Sequence, residues 1–189
     1  MKPLKSSVLF LSILIAALSS KAFEIGGLQI AGTGCEAPTG GQELIPILDK
    51  PMAFGIPLNM TQEKSADATL LRKSCTMSLP ITLAAGEKLQ VLDVSQKVRL
   101  RAGAKSKAST QLEVFLAGQE GQILKAEIEG KNKTVRSSQT LNDDGVVAES
   151  ECGKDVIVRA NSIAMIQGTA KARVETDALI LSLRVVSCR

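Results

Sequence analysis

The second half of the chain alternates apolar and polar residues with a period of two. The run "LQVLDVSQKVRLRA" (residues 89–102) does so in two pieces. "STQLEVFLAG", "ILKAEIEG", "DVIVRANSIAMIQG", "AKARVET" and "ALILSLRVVSC" follow, separated by short Gly, Asn or Asp breaks. Period two puts successive side chains on opposite faces of a strand, and several such strands with turn signals between them predict a sandwich or barrel. In the last run Leu179, Leu181, Leu183 and Val185 share the face expected to enter the core. Nothing reads as a long amphipathic helix. "MTQEKSADATLLRKS" (residues 60–74) is the best short helical candidate, with an exposed loop as the other reading. Pro46, Pro51 and Pro57 in "LIPILDKPMAFGIPL" predict an edge strand or an irregular crossing, because proline cannot donate in a ladder. The expected fold is all-β: an antiparallel β-sandwich of jelly-roll or Ig-like type.

The first residues break this pattern. Lys2 and Lys5 precede an apolar run from Val8 to Leu18 and then a small, polar stretch ending Ser20-Lys21-Ala22. That order predicts a secretory signal over residues 1–22, cleaved so that a single β-sandwich domain spans residues 23–189. The apolar run is shorter than the ~20 residues of a membrane span, and no later segment is long and apolar enough, so no span is expected after cleavage. Cys35 lies too far past the apolar run to be a lipidation site. The chain is expected to be secreted, extracellular or periplasmic.

Cleavage changes the charge. The 189 residues carry 23 basic and 19 acidic side chains, net +4. Removing Lys2, Lys5 and Lys21 leaves 20 against 19, so the mature chain is nearly neutral and gives no nucleic-acid signature. There is no His, Trp or Tyr. Ser-His-Asp and Cys-His schemes are therefore excluded, and no S-x-x-K follows the signal. Few aromatics also argue against stacking on bases or sugar faces. The expectation is a non-enzymatic protein with no cofactor.

Cys35, Cys75, Cys152 and Cys188 are an even set in an exported chain, which predicts two disulfides. Four cysteines allow three pairings, and spacing does not choose among them. Zinc is disfavoured because no two cysteines are close in sequence. "IAGTGCEAP", "LLRKSCTMSLPI", "ESECGKDVIVRANS" and the terminal "ILSLRVVSCR" together resemble a family of secreted domains, domain of unknown function 4360. The resemblance spans nearly the whole mature chain, and Gly32-Thr33-Gly34-Cys35 and Arg72-Lys73-x-Cys75 are its most specific pieces. It implies a β-sandwich with Cys35 paired to Cys75 and Cys152 paired to Cys188. It implies no activity and no catalytic residues. The chain departs from the family by lacking aromatics in several of those segments.

Three further features carry candidate chemistry. In "TLNDDGVVAESE", Asn142, Asp143, Asp144 and Glu151 are the oxygen donors of an incomplete calcium loop, which begins at Thr140 where the template has Asp; an ordinary turn is the plainer reading. In "KVRLRAGAKSK", Lys97, Arg99 and Arg101 share one strand face, with Lys105 and Lys107 beyond. This is a basic stripe for an anion or surface, or else a solvated strand face and a hairpin tip whose charges discourage edge pairing. Glu127 and Glu129 share a face in "KAEIEG", as paired hydrolase carboxylates could, though a wet sheet face is the simpler account. Asn59 and Asn132 begin glycosylation sequons.

The sequence thus predicts a secreted binding or structural module of the periplasm, envelope or exterior, with a protein or surface partner of unknown kind and no nucleic acid. Two alternatives follow: an envelope or fibre subunit assembling by strand addition, and a hydrolase using carboxylates or a Ser-Lys pair.

Overall fold

The computed structural model describes residues 23–35, 44–48, 52–56, 60–64, 69–130, 133–141 and 145–188. The expected signal (residues 1–22), Pro51, Pro57, Asn142, Asp143, Asp144 and both sequon asparagines lie outside the described residues.

In chain order the strands are β1 (Glu24–Ile25), β2 (Gln29–Ala31), β3 (Ile45–Pro46), β4 (Ala53–Ile56), β5 (Met60–Lys64), β6 (Leu70–Thr82) and β7 (Glu87–Ala102). Then come β8 (Ser106–Leu116), β9 (Gln122–Glu129), β10 (Lys133–Leu141), β11 (Ala148–Glu149), β12 (Val156–Gly168) and β13 (Ala172–Ser187). No helix occurs among the described residues. The strands form two antiparallel sheets. In one, β1 and β2 lie along β6, followed by β12, β8 and the edge strand β9. In the other, β10 and β11 lie along β7, which pairs with β13; β4 and β5 share the far side of β13, and β3 is outermost. Pro46 sits in that outermost strand, where its missing N–H costs no ladder bond.

The inward faces supply the core. Met77, Leu79 and Ile81 of β6, Leu112, Val114 and Leu116 of β8, and Val158, Ala160 and Ile166 of β12 are all buried. They meet Leu89, Val91, Val94 and Leu100 of β7 and Val174, Leu179, Leu181 and Leu183 of β13. At ~25 cal/mol per Å² of apolar surface removed from water, this layer is the main stabilising term.

Two bulges decide which residues point inward. On β7 the inward set changes parity from Leu89 and Val91 to Val94, Gln96 and Val98, because Leu92 has no opposite number on β13. On β13 it changes from Val174 and Thr176 to Leu179 and Leu181, across the Thr176/Leu179 shift. The two pieces of residues 89–102 are thus one strand, and "AKARVET" and "ALILSLRVVSC" are also one strand. Val185 is only partly buried, unlike the three leucines before it.

The helical candidate is corrected. Met60–Lys64 is a strand paired to Ala172–Thr176, and Leu70 already belongs to β6. Met60 and Gln62 are buried and Thr61 and Glu63 exposed, so the period there is two. Pairing and burial outweigh local preference.

Two disulfides close the ends. Cys35, just after β2, is bonded to the buried Cys75 of β6, and Cys152, before β12, to Cys188 after β13. No described cysteine is free. Cys188 N–H also donates to the Gly86 carbonyl (2.7 Å), and Gly153 N–H to that of Glu87 (2.7 Å). In the Arg72-Lys73-x-Cys75 motif, Lys73 Nζ donates to the Thr61 carbonyl (3.0 Å), tying β6 to β5 of the other sheet.

Candidate functional site

The outer face of the β10–β7–β13–β5 sheet is the most developed surface. Inward Val98 and Leu100 force Lys97, Arg99 and Arg101 outward from β7. The same rule puts Arg173 and Glu175 outward from β13. The register then aligns rows across the sheet. Thr134, Arg101, Arg173 and Glu63 form one row; Arg136, Arg99, Glu175 and Thr61 form the next; Ser138 stands opposite Lys97 beyond them. Two like-charged pairs result, with Arg101 facing Arg173 and Arg136 facing Arg99. Like charges directly opposite in an antiparallel pair are destabilising.

These side chains line an open groove of about 670 Å³, bounded by Lys97, Arg99, Arg136, Ser138, Glu175 and Asp177. Smaller depressions of about 220 Å³ and 410 Å³ continue it past Arg101 and Arg173. Glu175 is the central counter-ion. Its Oε1 accepts from Arg173 Nη2 (2.6 Å) and its Oε2 from Arg99 Nη1 (3.0 Å). Glu63 lies 3.6 Å from Arg173. Among the described residues, Lys97, Arg101 and Arg136 have no acidic partner.

The β13 bulge closes one end of the groove and is held from three directions. Gln96 Nε2 donates to the Asp177 carbonyl (3.1 Å), Met60 N–H donates to Thr176 Oγ1 (3.0 Å), and Ser162 of the opposite sheet donates to Gln96 Oε1 (3.4 Å). Asp177 is thereby held at the groove wall.

The five-residue basic run does not stay together. Lys97, Arg99 and Arg101 are on a strand flanked on both sides, so they protect no edge. β7 and β8 do not pair: the segment between them crosses from one sheet to the other, and Lys105 sits in that crossing rather than at a hairpin tip. Gly103 N–H donates to the Lys171 carbonyl and Ser106 Oγ to that of Ala170, which pins the crossing (2.9 and 2.6 Å). Lys107 belongs to the other sheet and pairs with Glu127 (2.7 Å), whose carboxylate raises the lysine's pKa by hydrogen bonding. Glu127 and Glu129 are both exposed on β9.

The residues not legible beforehand are Arg136, Ser138, Arg173, Glu175 and Asp177. "KTVRSSQ" and "ARVETD" do carry polar residues at every second position. Only the register brings those positions beside β7.

Of the calcium candidates only Glu151 is described. It is exposed, and its hydrogen bond from Lys154 holds its carboxyl below the ordinary range. No cluster of three or more metal-type ligands occurs among the described residues.

The family described as Domain of unknown function (DUF4360) matches residues 21–186. The chain belongs to that family. No curated protein matches the DUF4360 chain significantly. Among solved structures it is similar to TmCBM61 in complex with β-1,4-galactotriose, at 14% identity over 88% of this chain and 89% of that one, with a TM-score of 0.27. It is similar to the enzymatically active domain of bacteriophage CBA120 tailspike protein 4, at 10% identity over 84% of this chain and 20% of that one (TM-score 0.28). A family 11 carbohydrate-binding module from Clostridium thermocellum, in complex with a β-1,3-1,4-mixed-linked tetrasaccharide, shows 11% identity over 85% and 87% (TM-score 0.22). Similarities this low say nothing of what the DUF4360 domain binds.

Proposed function

We propose that this DUF4360 domain is an exported, non-catalytic binding module that engages its ligand with the outer face of the β10–β7–β13–β5 sheet. One observation carries the reading: Arg101 faces Arg173 and Arg136 faces Arg99 on that face. Glu175 and Glu63 offset Arg99 and Arg173, but Arg101 and Arg136 stand against them uncompensated. Such pairs cost stability, and a sheet that keeps them has a use for the charge. Two disulfides support an oxidising compartment.

The groove's chemistry favours binding over catalysis. Lys97 faces Ser138 across the ladder but is exposed, whereas a lysine base needs desolvation. Glu175 is already committed to two guanidinium groups. On the edge strand β9, the charges of Lys125, Glu127 and Glu129, in one outward row with Ile123, work against strand addition at that edge.

The test uses the combined variant Lys97→Ser, Arg101→Ser, Arg136→Ser and labelled protein added to cell-envelope fractions of the producing organism. Wild type binds; the variant loses about tenfold or more in affinity, with a melting temperature equal to or above that of wild type. Unchanged binding by the variant overturns the reading. So does release of a cleaved product by wild type that the variant fails to release.

A further inference from the structure

Resting on the reading that this face is the binding surface, we infer that its ligand is an acidic polysaccharide whose acid groups enter the two arginine pairs and replace Glu175 as their counter-ion. The lining sets the chemistry. It offers the guanidinium groups of Arg99, Arg101, Arg136 and Arg173, the Lys97 ammonium and the hydroxyls of Thr61, Thr134 and Ser138, which outnumber the carboxylates of Glu63, Glu175 and Asp177; it has no aromatic ring and no apolar side chain larger than Val98. A protein partner would find no pocket for an apolar anchor, and a nucleic acid would find no ring to stack on. A bilayer surface is flat, whereas this face is a groove. A chain of hydroxyls and carboxylates matches donors of both kinds.

The geometry supports a repeating ligand. Guanidinium is a planar fork that takes a carboxylate on two nitrogens. The two arginine rows lie two residues apart along β7, which is about 6.7 Å, and neighbouring strands are about 4.8 Å apart. A polymer with an acid group on successive units can reach both rows. Glu175 already marks one carboxylate position, with each oxygen taking one arginine. Arg101 and Arg136, one in each row, have no acidic partner among the described residues, and they await the next acid group.

The measurement is the affinity of a fluorescein-labelled polyuronate oligosaccharide for wild type, Arg101→Ser/Arg136→Ser and Glu175→Gln. A neutral oligosaccharide of equal length and inorganic polyphosphate serve as comparators. Wild type binds the polyuronate and not the neutral chain. The double arginine variant binds about tenfold more weakly. Glu175→Gln binds about fivefold more tightly, the ratio that loss of an exposed competing ion pair corresponds to. Equal binding of neutral and acidic chains, lost in the arginine variant, overturns the acidic ligand and leaves the binding face standing. Polyuronate binding that ignores the arginine substitutions overturns the face itself. Polyphosphate bound in place of polyuronate overturns the polysaccharide. Should Glu175→Gln fail to fold, wild type alone still decides, because its affinity must fall steeply with added salt; a salt-independent affinity overturns the inference.

Discussion

Gly32 shows how much of this chain's most specific motif is packing. Its φ is +139°, and a Cβ there would lie 2.2 Å from the Ser74 carbonyl oxygen. Gly34 donates its N–H to that same oxygen (2.9 Å), and a Cβ on it would sit 2.5 Å from Met60 Sδ. At Gly32 and Gly34 the backbone therefore lies directly on β6 and β5 with no room for a Cβ, while Thr33 between them is exposed, and Cys35 is delivered to Cys75. Gly32→Ala is expected to cost about 2 kcal/mol or more, from strain and from the backbone shift that relieves the clash. Urea unfolding of the oxidised protein measures it; a loss below about 0.5 kcal/mol would show that the contact with Ser74 does not constrain the fold. The glycines and cysteine were visible as a motif. Their reason was not, because the contacting atoms belong to Ser74 and Met60, far along the chain.

The strands were legible as strands but not as neighbours. Alternation locates β8, β9 and β12 well, because each keeps one parity from end to end. β7 and β13 change parity at their bulges, so each reads as two shorter strands. The bulges matter for the site, since the shift after Thr176 keeps Arg173 and Glu175 on the outer face while turning Leu179 inward. At the other end of β7, the two-residue strand β11 depends on polar contacts. Glu149 accepts from Lys88 Nζ (2.6 Å) and Gln90 Nε2 (2.5 Å), and Gln90 Oε1 accepts in turn from Arg184 (2.7 and 2.9 Å). The Lys88 and Gln90 hydrogen bonds hold the Glu149 carboxyl below its ordinary 4.5. A carboxyl lowered on folding contributes its full stability above the unfolded value and loses it as pH falls through the lower folded value. Protection of the Val147 and Ser150 amides, which bond to Val91 and Leu89, should therefore decline as the pH drops below about 4.5. In Glu149→Gln that decline should vanish, with protection low throughout. Amide exchange corrected for intrinsic rates tests this, and pH-independent protection in wild type across that range would refute it.

At the scale of the molecule, the largest gap between sequence and structure is sheet order. β7 and β8 adjoin in sequence yet lie in different sheets, and β7 pairs instead with β13, some eighty residues on (Val98 with Thr176). β6 likewise pairs with β12. No local signal encodes such partners, which is why the basic strand was readable and the groove it helps to build was not. Long-range pairing also sets what the disulfides do. β13 is the last strand and the centre of its sheet, bonded to β7 on one side and to β4 and β5 on the other. Fraying of its end would uncover Leu183 and Leu181 and open both ladders together. Cys188, bonded to Cys152 and hydrogen-bonded to Gly86, stands where that fraying would begin. Closing a loop of 36 residues is worth roughly 4 kcal/mol in the chain-entropy picture. Cys152→Ser/Cys188→Ser is expected to lose about 2–5 kcal/mol and to be cut first by trypsin after Arg184 in β13. Because the groove is formed nearer the other end of β7, at residues 97–101, folded molecules of this variant should bind ligand as wild type does. Limited proteolysis with mass mapping, beside a binding isotherm, separates the two effects. First cleavage elsewhere would show that the bridge does not guard the end of β13, and weakened binding by the folded fraction would show that strain there reaches the groove.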